Sequence, residues 1–205
     1  MLMSLCRAIA SYDIYRVSRV LNKSPALARE SAEAGASREK AVPYYLNQIN
    51  HYVYVGDTAL HIAAAAYRLK IVEDLLALGA QVRARNRLGA EPLHYAADGV
   101  PGSSPWNPRD QAATIVCLIR AGAEPNCSDK RGVTPLHRAV RTRCAAAVRA
   151  LLEHGADPRQ TNGNGSTPLT LATLNTGRGG SGSAAARAEQ AQIVELLSTK
   201  GTITL

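Results

Sequence analysis

Three histidines recur at one position of a repeated four-residue motif, and imidazoles repeated in this way could ligate a metal ion. His61, His94 and His137 each end a segment of the form Thr/Glu-Ala/Pro-Leu-His. Repeated helical units pack about 10 Å apart, whereas zinc needs its nitrogen ligands about 2.1 Å away. We therefore expect each ring to hydrogen-bond to backbone in the neighbouring turn, and we predict no metal site and no cofactor.

A glycine-rich run and four cysteines are the other residues whose types suggest chemistry. Residues 176–183 are rich in Gly but do not fit the phosphate-binding pattern G-x-x-x-x-G-K-[ST]. The cysteines form no C-x-x-C pair, and neither a G-x-S-x-G nor an H-E-x-x-H motif occurs. We predict a flexible linker, a reducing compartment, no catalytic residues and no enzymatic activity.

The repeated motif indicates a turn that leads into a helix. It starts at Thr58, Glu91, Thr134 and Thr167, at steps of 33, 43 and 33 residues. Thr is a good N-cap because its hydroxyl accepts a hydrogen bond from the first turn, and Pro suits the first helical position because it has no N–H to leave unpaired. A second helix follows and ends at a Gly suited to the left-handed cap. In the first unit the apolar face of that helix consists of Ile71, Val72, Leu75 and Leu76.

The period near 33, the Thr-Pro-Leu-His motif, the Ile-Val-x-x-Leu-Leu helix and the closing Gly-Ala together resemble the ankyrin repeat. The resemblance covers about three quarters of the sequence, over residues 53–200. It implies an all-α repeat solenoid of stacked hairpin–helix–helix units, with four clear repeats and a degenerate N-terminal capping helix pair. It also implies binding of another macromolecule along a concave groove of hairpin tips and inner helices, with no common cofactor or catalytic residues.

We predict one domain over residues 1–205, in which two insertions interrupt the repeats. The insertion at 98–111 lies in the second repeat and the Gly/Ser-rich insertion at 174–186 lies in the fourth, both between the inner and the outer helix. The two insertions should therefore flank the basic turn of the third repeat. The predicted segments are the capping helix pair at 1–26, an extended and partly helical Tyr-containing insertion at 27–52, and repeats at 53–85, 86–128, 129–161 and 162–205.

The net charge is +8, from 24 basic and 16 acidic residues. A basic balance either serves solubility or favours anionic partners. Since the resemblance implies a macromolecular partner, we predict a protein, preferably an acidic one. The alternative is nucleic acid or another polyanion bound through the basic third repeat and the flanking loops, although no nucleic-acid motif occurs. With neither a signal peptide nor about 20 consecutive apolar residues, we expect a cytoplasmic, intracellular monomer without membrane insertion.

The candidate partner contacts lie at the predicted hairpin tips, in the first insertion and in the third repeat. Trp106 allows two interpretations: an exposed binding anchor, or a ring that folds back onto the stack and pins its loop. The basic turn likewise is either a solvated edge or an acidic-peptide notch between the two insertions. The candidates are Tyr54, Val55, Asp57, Arg87, Leu88, Ala90, Trp106, Lys130, Arg131, Val133, Arg138, Arg141, Arg143, Asn164 and Ser166.

Overall fold

Helices follow one another in pairs along the sequence. The computed structural model describes residues 1–103, 106–173 and 184–201. Most of the Gly/Ser-rich insertion therefore lies outside the described residues. In the described ranges the helices are α1 (Leu2–Ala10), α2 (Ile14–Lys23), α3 (Ala59–Ala65), α4 (Leu69–Ala77), α5 (Pro92–Ala97), α6 (Pro108–Arg120), α7 (Pro135–Arg141), α8 (Ala145–Glu153), α9 (Pro168–Thr173) and α10 (Ala184–Gly201).

The helix pairs stack in two layers. The first, inner helices contact each other in the order α1, α3, α5, α7 and α9, and the outer helices in the order α4, α6, α8 and α10. One continuous core runs between the layers and includes the motif leucines Leu60, Leu93 and Leu136. The expected all-α repeat solenoid is confirmed. None of the helices in the described ranges is both long and apolar enough to cross a membrane.

Two helix starts correct the boundaries of the predicted insertions. Helix α6 begins at Pro108 and α10 begins at Ala184, so residues 108–111 and 184–186 are helical. Asn107 is the N-cap of α6, and its side-chain oxygen accepts from the Arg109 and Asp110 N–H groups at 2.9 and 3.3 Å. Asn followed by Pro is a helix-start signal, and it places the end of the first insertion at Asn107.

The segment before the first repeat runs alongside the first hairpin. It contains 3₁₀ turns at Pro25–Ala28, Val42–Tyr44 and Asn47–Ile49, and a two-stranded antiparallel sheet of β1 (Tyr45–Leu46) and β2 (His51–Tyr52). The Ala32 and Ala36 N–H groups donate to the carbonyls of Asp57 and Val53, both at 2.7 Å. Residues 31–36 are therefore joined to the first hairpin by backbone hydrogen bonds.

The motif histidines connect each unit to the next. Nε2 of His61, His94 and His137 lies 3.1, 3.0 and 3.0 Å from the carbonyl oxygen of Ala90, Val133 and Ser166, respectively. Each Nδ1 accepts the N–H of the residue that caps its own helix, at 3.1 to 3.3 Å. The proton therefore belongs on Nε2, which donates across the unit boundary. The predicted backbone role of these rings is confirmed.

The hairpin tips form a second ladder along the stack. The N–H groups of Arg87, Lys130 and Gly163 donate to the carbonyls of Val55, Leu88 and Arg131 at 2.8, 3.0 and 2.8 Å. Each turn is closed by a side-chain oxygen that accepts two backbone N–H groups, which is the local bond that Asn and Asp make in turns. These turn-closing residues are Asn86, Asp129 and Asn162.

Substitution of two tip glycines should separate backbone strain from lost ladder contacts. Gly132 and Gly165 have φ values of +70° and +75°, and a Cβ on Gly132 would lie 2.7 Å from the Gly163 nitrogen, while one on Gly165 would meet nothing within 4 Å. Gly165→Ala should lower the free energy of unfolding by about 1 kcal/mol, and Gly132→Ala by a clearly larger amount. Urea unfolding monitored by circular dichroism measures both. Equal losses would contradict tight tip stacking at Gly132.

Acid should weaken the stack through the buried histidines. Burial lowers the pKa of His61 and His137, and lowers that of His94 from 6.5 to about 4. The unfolded protein therefore takes up these protons first, so the stabilisation is complete above about pH 6.5 and falls as the pH drops towards 4. For His94 alone we expect a loss of roughly 2 kcal/mol between about pH 7 and pH 5. The Gln of a His94→Gln variant is not protonated in this pH range, so the free energy of unfolding, measured by urea titration, should depend less on pH than in the wild type. An unchanged pH dependence would contradict the assigned role of His94.

Candidate functional site

A groove of about 780 Å³ lies between the hairpin tips and the inner helices. The ladder of hydrogen bonds between the hairpin tips joins backbone groups only, so the tip side chains are left to line the groove. Tyr95 and His137 of the inner helices form part of its floor. Eight of the predicted contacts line the groove: Tyr54, Leu88, Lys130, Arg131, Val133, Arg138, Arg141 and Asn164.

The exposed part of this lining is a row of tip side chains. Leu88, Lys130, Arg131 and Asn164 are exposed, and Leu88 is an apolar side chain with 39% of its surface accessible. Beside this row, the Arg87 guanidinium lies 5.2 Å from the centre of the half-buried Tyr54 ring. The row thus combines one apolar, one amide and two cationic side chains at successive tips.

Several predicted contacts prove to be parts of the framework. Ala90, Val133 and Ser166 supply the carbonyls that accept from the histidines. Ala90 is fully buried, whereas Val133 and Ser166 are half-buried. Because successive units must be joined by backbone at these positions, their side chains have little freedom to vary.

Asp57 is buried as well, and its carboxylate organises a polar network below the first tip. One carboxylate oxygen accepts from Asn86 Nδ2 at 2.9 Å and from the Tyr95 hydroxyl at 2.8 Å, and the other accepts the Tyr54 N–H at 2.7 Å. Burial, together with the Asp57 charge, raises the pKa of Tyr95. The prediction that Asp57 contacts a partner is therefore wrong, because its side chain is buried and its carboxylate oxygens already accept hydrogen bonds within the protein.

Arg138, predicted as a contact, instead joins two parts of the stack. Its guanidinium lies 3.0 Å from an Asp98 oxygen and 3.3 Å from an Asp129 oxygen, with 11% of the side chain exposed. Burial alone would lower the pKa of Arg138, but the two carboxylates raise it. Since Asp129 closes the tip of the third repeat and Asp98 begins the insertion, Arg138 anchors both.

The other two arginines of the third repeat differ from each other. Arg143 is buried, with a left-handed φ of +60°, in the turn between α7 and α8. Its predicted exposure at a basic edge is wrong, because the tight turn directs this side chain inward. Arg141 ends α7 and is 39% exposed, with Nη2 3.8 Å from the Asp98 carboxylate. Arg141 is therefore the arginine of this turn that borders the groove.

The first insertion is pinned to the stack by Trp106. Trp106 Nε1 donates to Gln111 Oε1 at 2.9 Å, and Gln111 Nε2 donates to the Ala96 and Asp98 carbonyls at 3.0 and 3.2 Å. A Cβ on Gly99 would lie 2.9 Å from Trp106 Nε1, so only Gly allows this approach. The fold-back interpretation of Trp106 is correct. Nothing in the sequence distinguishes Gln111, because a buried Gln at the start of a helix looks like any surface Gln.

The opposite wall of the predicted notch would come from residues 174–183, which lie outside the described residues. Within the described ranges no group of three His, Cys, Asp or Glu side chains could hold a metal ion. One thiol lies near an imidazole, with Cys127 Sγ 3.8 Å from His94 Nδ1. Burial raises the pKa of Cys127 and lowers that of His94, so the pair is a neutral core contact.

The chain consists of stacked hairpin–helix–helix units that are joined through the motif histidines, and these units present side chains along a groove. These features define a helical repeat protein of the binding class. Residues 55–87 match the family described as ankyrin repeat, and residues 118–172 match ankyrin repeats in many copies. The chain therefore contains ankyrin repeats.

The chain is also similar in sequence to longer proteins of mouse and human. The chain is 38% identical over 106 residues to ankyrin repeat and SOCS box protein 16 of Mus musculus, which covers 52% of this chain and 23% of the mouse protein. It is 33% identical over 130 residues to NF-kappa-B inhibitor delta of Mus musculus. That match covers 62% of this chain and 35% of the mouse protein. B-cell lymphoma 3 protein of Homo sapiens is 34% identical, and that match covers 49% of this chain and 21% of the human protein. The chain thus spans only about a fifth to a third of the length of these relatives.

Removal of the Arg138 cation should destabilise the fold, unlike removal of an exposed tip cation. Arg138→Met leaves the Asp98 and Asp129 carboxylates without their partner and should lower the free energy of unfolding by about 3 kcal/mol. Arg131→Met, at an exposed position, should change it by less than about 0.5 kcal/mol. Thermal and urea unfolding of both variants give the comparison. Similar small effects would show that Arg138 is not an anchor.

Proposed function

We propose that this chain is a protein-interaction module that binds an acidic segment of a protein partner in its groove. The observation that supports this proposal is the row of exposed Leu88, Lys130, Arg131 and Asn164 side chains at successive tips. The tip ladder fixes their spacing, so little conformational entropy is lost in the scaffold when a partner binds.

The charge of the groove favours an acidic partner. Lys130, Arg131, Arg138 and Arg141 line it against Asp98 and Asp129. Both carboxylates are paired with Arg138, which leaves the exposed tip cations available. Complementary charge mainly speeds association and selects the partner, whereas Leu88 and the half-buried Tyr54 offer apolar contact of the kind found at interface centres.

The comparisons fit a binding role. Ankyrin repeat proteins are generally non-catalytic interaction modules, and one relative is named as an inhibitor of NF-kappa-B. All four cysteines are free, and Cys6, Cys127 and Cys144 are buried. Free thiols are typical of a reducing compartment, so we infer that the interaction takes place inside the cell, in the cytoplasm.

Charge reversal at the tips tests the groove. Lys130→Glu/Arg131→Glu should reduce affinity for a captured partner by at least about tenfold, because two complementary charges become repulsive. Arg149→Glu on outer helix α8, also exposed, is the matched control and should leave the affinity unchanged. The partner is obtained by affinity capture with the wild-type protein, identified by mass spectrometry, and titrated by calorimetry against each variant.

Two outcomes would overturn the groove assignment. One is full affinity of the tip variant for the partner; the other is an equal loss in the Arg149→Glu control. A gel-shift assay at low salt, where phosphate contacts are strongest, addresses the polyanion alternative. Binding of DNA or RNA that the tip variant abolishes, without any protein partner, would replace the present proposal with that alternative.

A further inference from the structure

A second cavity, of about 360 Å³, lies where the two non-repeat segments meet. One side comes from Ile49 to His51 of the segment before the first repeat, and the other from the insertion loop with Val100 and Trp106. The end of α3 and Arg141 complete it. Because both segments interrupt the ankyrin pattern, this cavity is a property of this particular protein and not of the repeat.

Three buried nitrogens in the lining have no hydrogen-bond partner among the described residues. They are His51 Nε2, Arg68 Nε and Arg141 Nε. An unsatisfied buried polar atom costs about 1–3 kcal/mol. An arginine Nε can only donate, and His51 Nε2 donates in the tautomer that carries its proton there, so the three nitrogens around one cavity point to a ligand that carries hydrogen-bond acceptors. The His51 ring is held in place by an edge contact with Tyr95, with ring centres 4.6 Å apart.

The charge of the lining favours an anionic ligand. Arg68 and Arg141 are cationic, and Asp98 is the acidic residue of the lining. The Asp98 carboxylate lies 3.0 Å from Arg138 but 3.8 Å from Arg141, so Arg141 is only weakly paired. The lining therefore keeps a net positive charge that favours an anionic ligand, and a carboxylate is the anion that an acidic segment of a protein partner supplies.

The remaining lining is apolar. Ile49, Ala65, Val100 and Trp106 border the cavity. Arginine binds a planar carboxylate through paired N–H groups, and apolar walls favour a carboxylate carried on a hydrocarbon stem. The C-terminal residue of a polypeptide, where it has an apolar side chain, and an internal glutamate both have this chemistry.

We propose that this cavity binds a carboxylate of the partner protein, with Arg141 as the principal contact, His51 and Arg68 as further donors, and the stem of the ligand against Trp106. The inference rests on the proposed function, since it names the chemistry by which a protein partner is recognised beside the groove. It also assigns the two non-repeat segments a joint role, as the walls of one site.

Trp106 is the single tryptophan of the protein and therefore reports on this cavity by its fluorescence. The probes are N-acetyl-leucine, which mimics a polypeptide C-terminus, and N-acetyl-glutamate α-amide, which mimics an internal glutamate. Their neutral controls are N-acetyl-leucine amide and N-acetyl-glutamine amide. We expect a saturable change in Trp106 emission with at least one carboxylate and none with the amides. Whichever carboxylate binds more tightly identifies the source.

Variants of the 205-residue chain test the assigned residues. Arg141→Gln should weaken carboxylate binding about tenfold, the effect of one charge-assisted hydrogen bond, and Arg68→Gln should weaken it as well. Arg149→Gln, a charge change of the same kind on exposed α8, should leave it unchanged. Circular dichroism confirms that each variant is folded, and tip variant Lys130→Glu/Arg131→Glu should still bind the small carboxylates.

The inference is overturned if the amides bind as well as the carboxylates, if no probe alters Trp106 emission up to its solubility limit, or if Arg149→Gln weakens binding as much as Arg141→Gln does. Failure here is distinguishable from failure of the proposed function. Partner binding that is lost in the tip variant, without any carboxylate binding, overturns only the cavity. Carboxylate binding with a tip variant that keeps full partner affinity overturns only the groove assignment.

Discussion

The stack depends on a neutral histidine ring that is hydrogen-bonded at both nitrogens. Nδ1 accepts from the cap of its own helix, and Nε2 donates to a carbonyl of the next unit, for His61, His94 and His137 alike. Protonation would remove the acceptor, which is consistent with the lowered pKa of each ring. Local helix capping and inter-unit stacking are therefore one interaction, and the leucines of the same motif fill the core between units.

That scaffold decides which polar side chains are free to act. Asp57 and Asn86 are committed to a buried network beneath the tips, and Arg138 is committed to Asp98 and Asp129. Among the residues that line the groove, a short row of side chains at successive tips remains outward-facing, together with Arg141. A basic protein thus has a smaller active basic surface than its net charge suggests, because a buried cation between carboxylates contributes to stability and is not available to a partner.

The two non-repeat segments do more than connect repeats. The segment before the first repeat pairs with the first hairpin through backbone hydrogen bonds, and the insertion of the second repeat is held by Trp106, Gln111 and Gly99. Between them lies a cavity bordered by buried nitrogens that have no hydrogen-bond partner in the part of the chain that the structure describes. This cavity is lined by residues of both irregular segments and so depends on them as well as on the regular repeats.

The sequence by itself determined the solenoid, the helix caps and the role of the histidines, because each follows from short-range chemistry that recurs at a fixed step. It also located most of the tip residues, since a turn before a Thr-Pro start has few alternatives. Only the tertiary structure decided that Asp57, Arg138 and Arg143 are framework residues and that Trp106 faces inward. Residues distant in the sequence, such as Asp98 and Arg138, meet only after the units stack, and an arginine that will be buried in a pair has the same local sequence signature as one that remains in solvent.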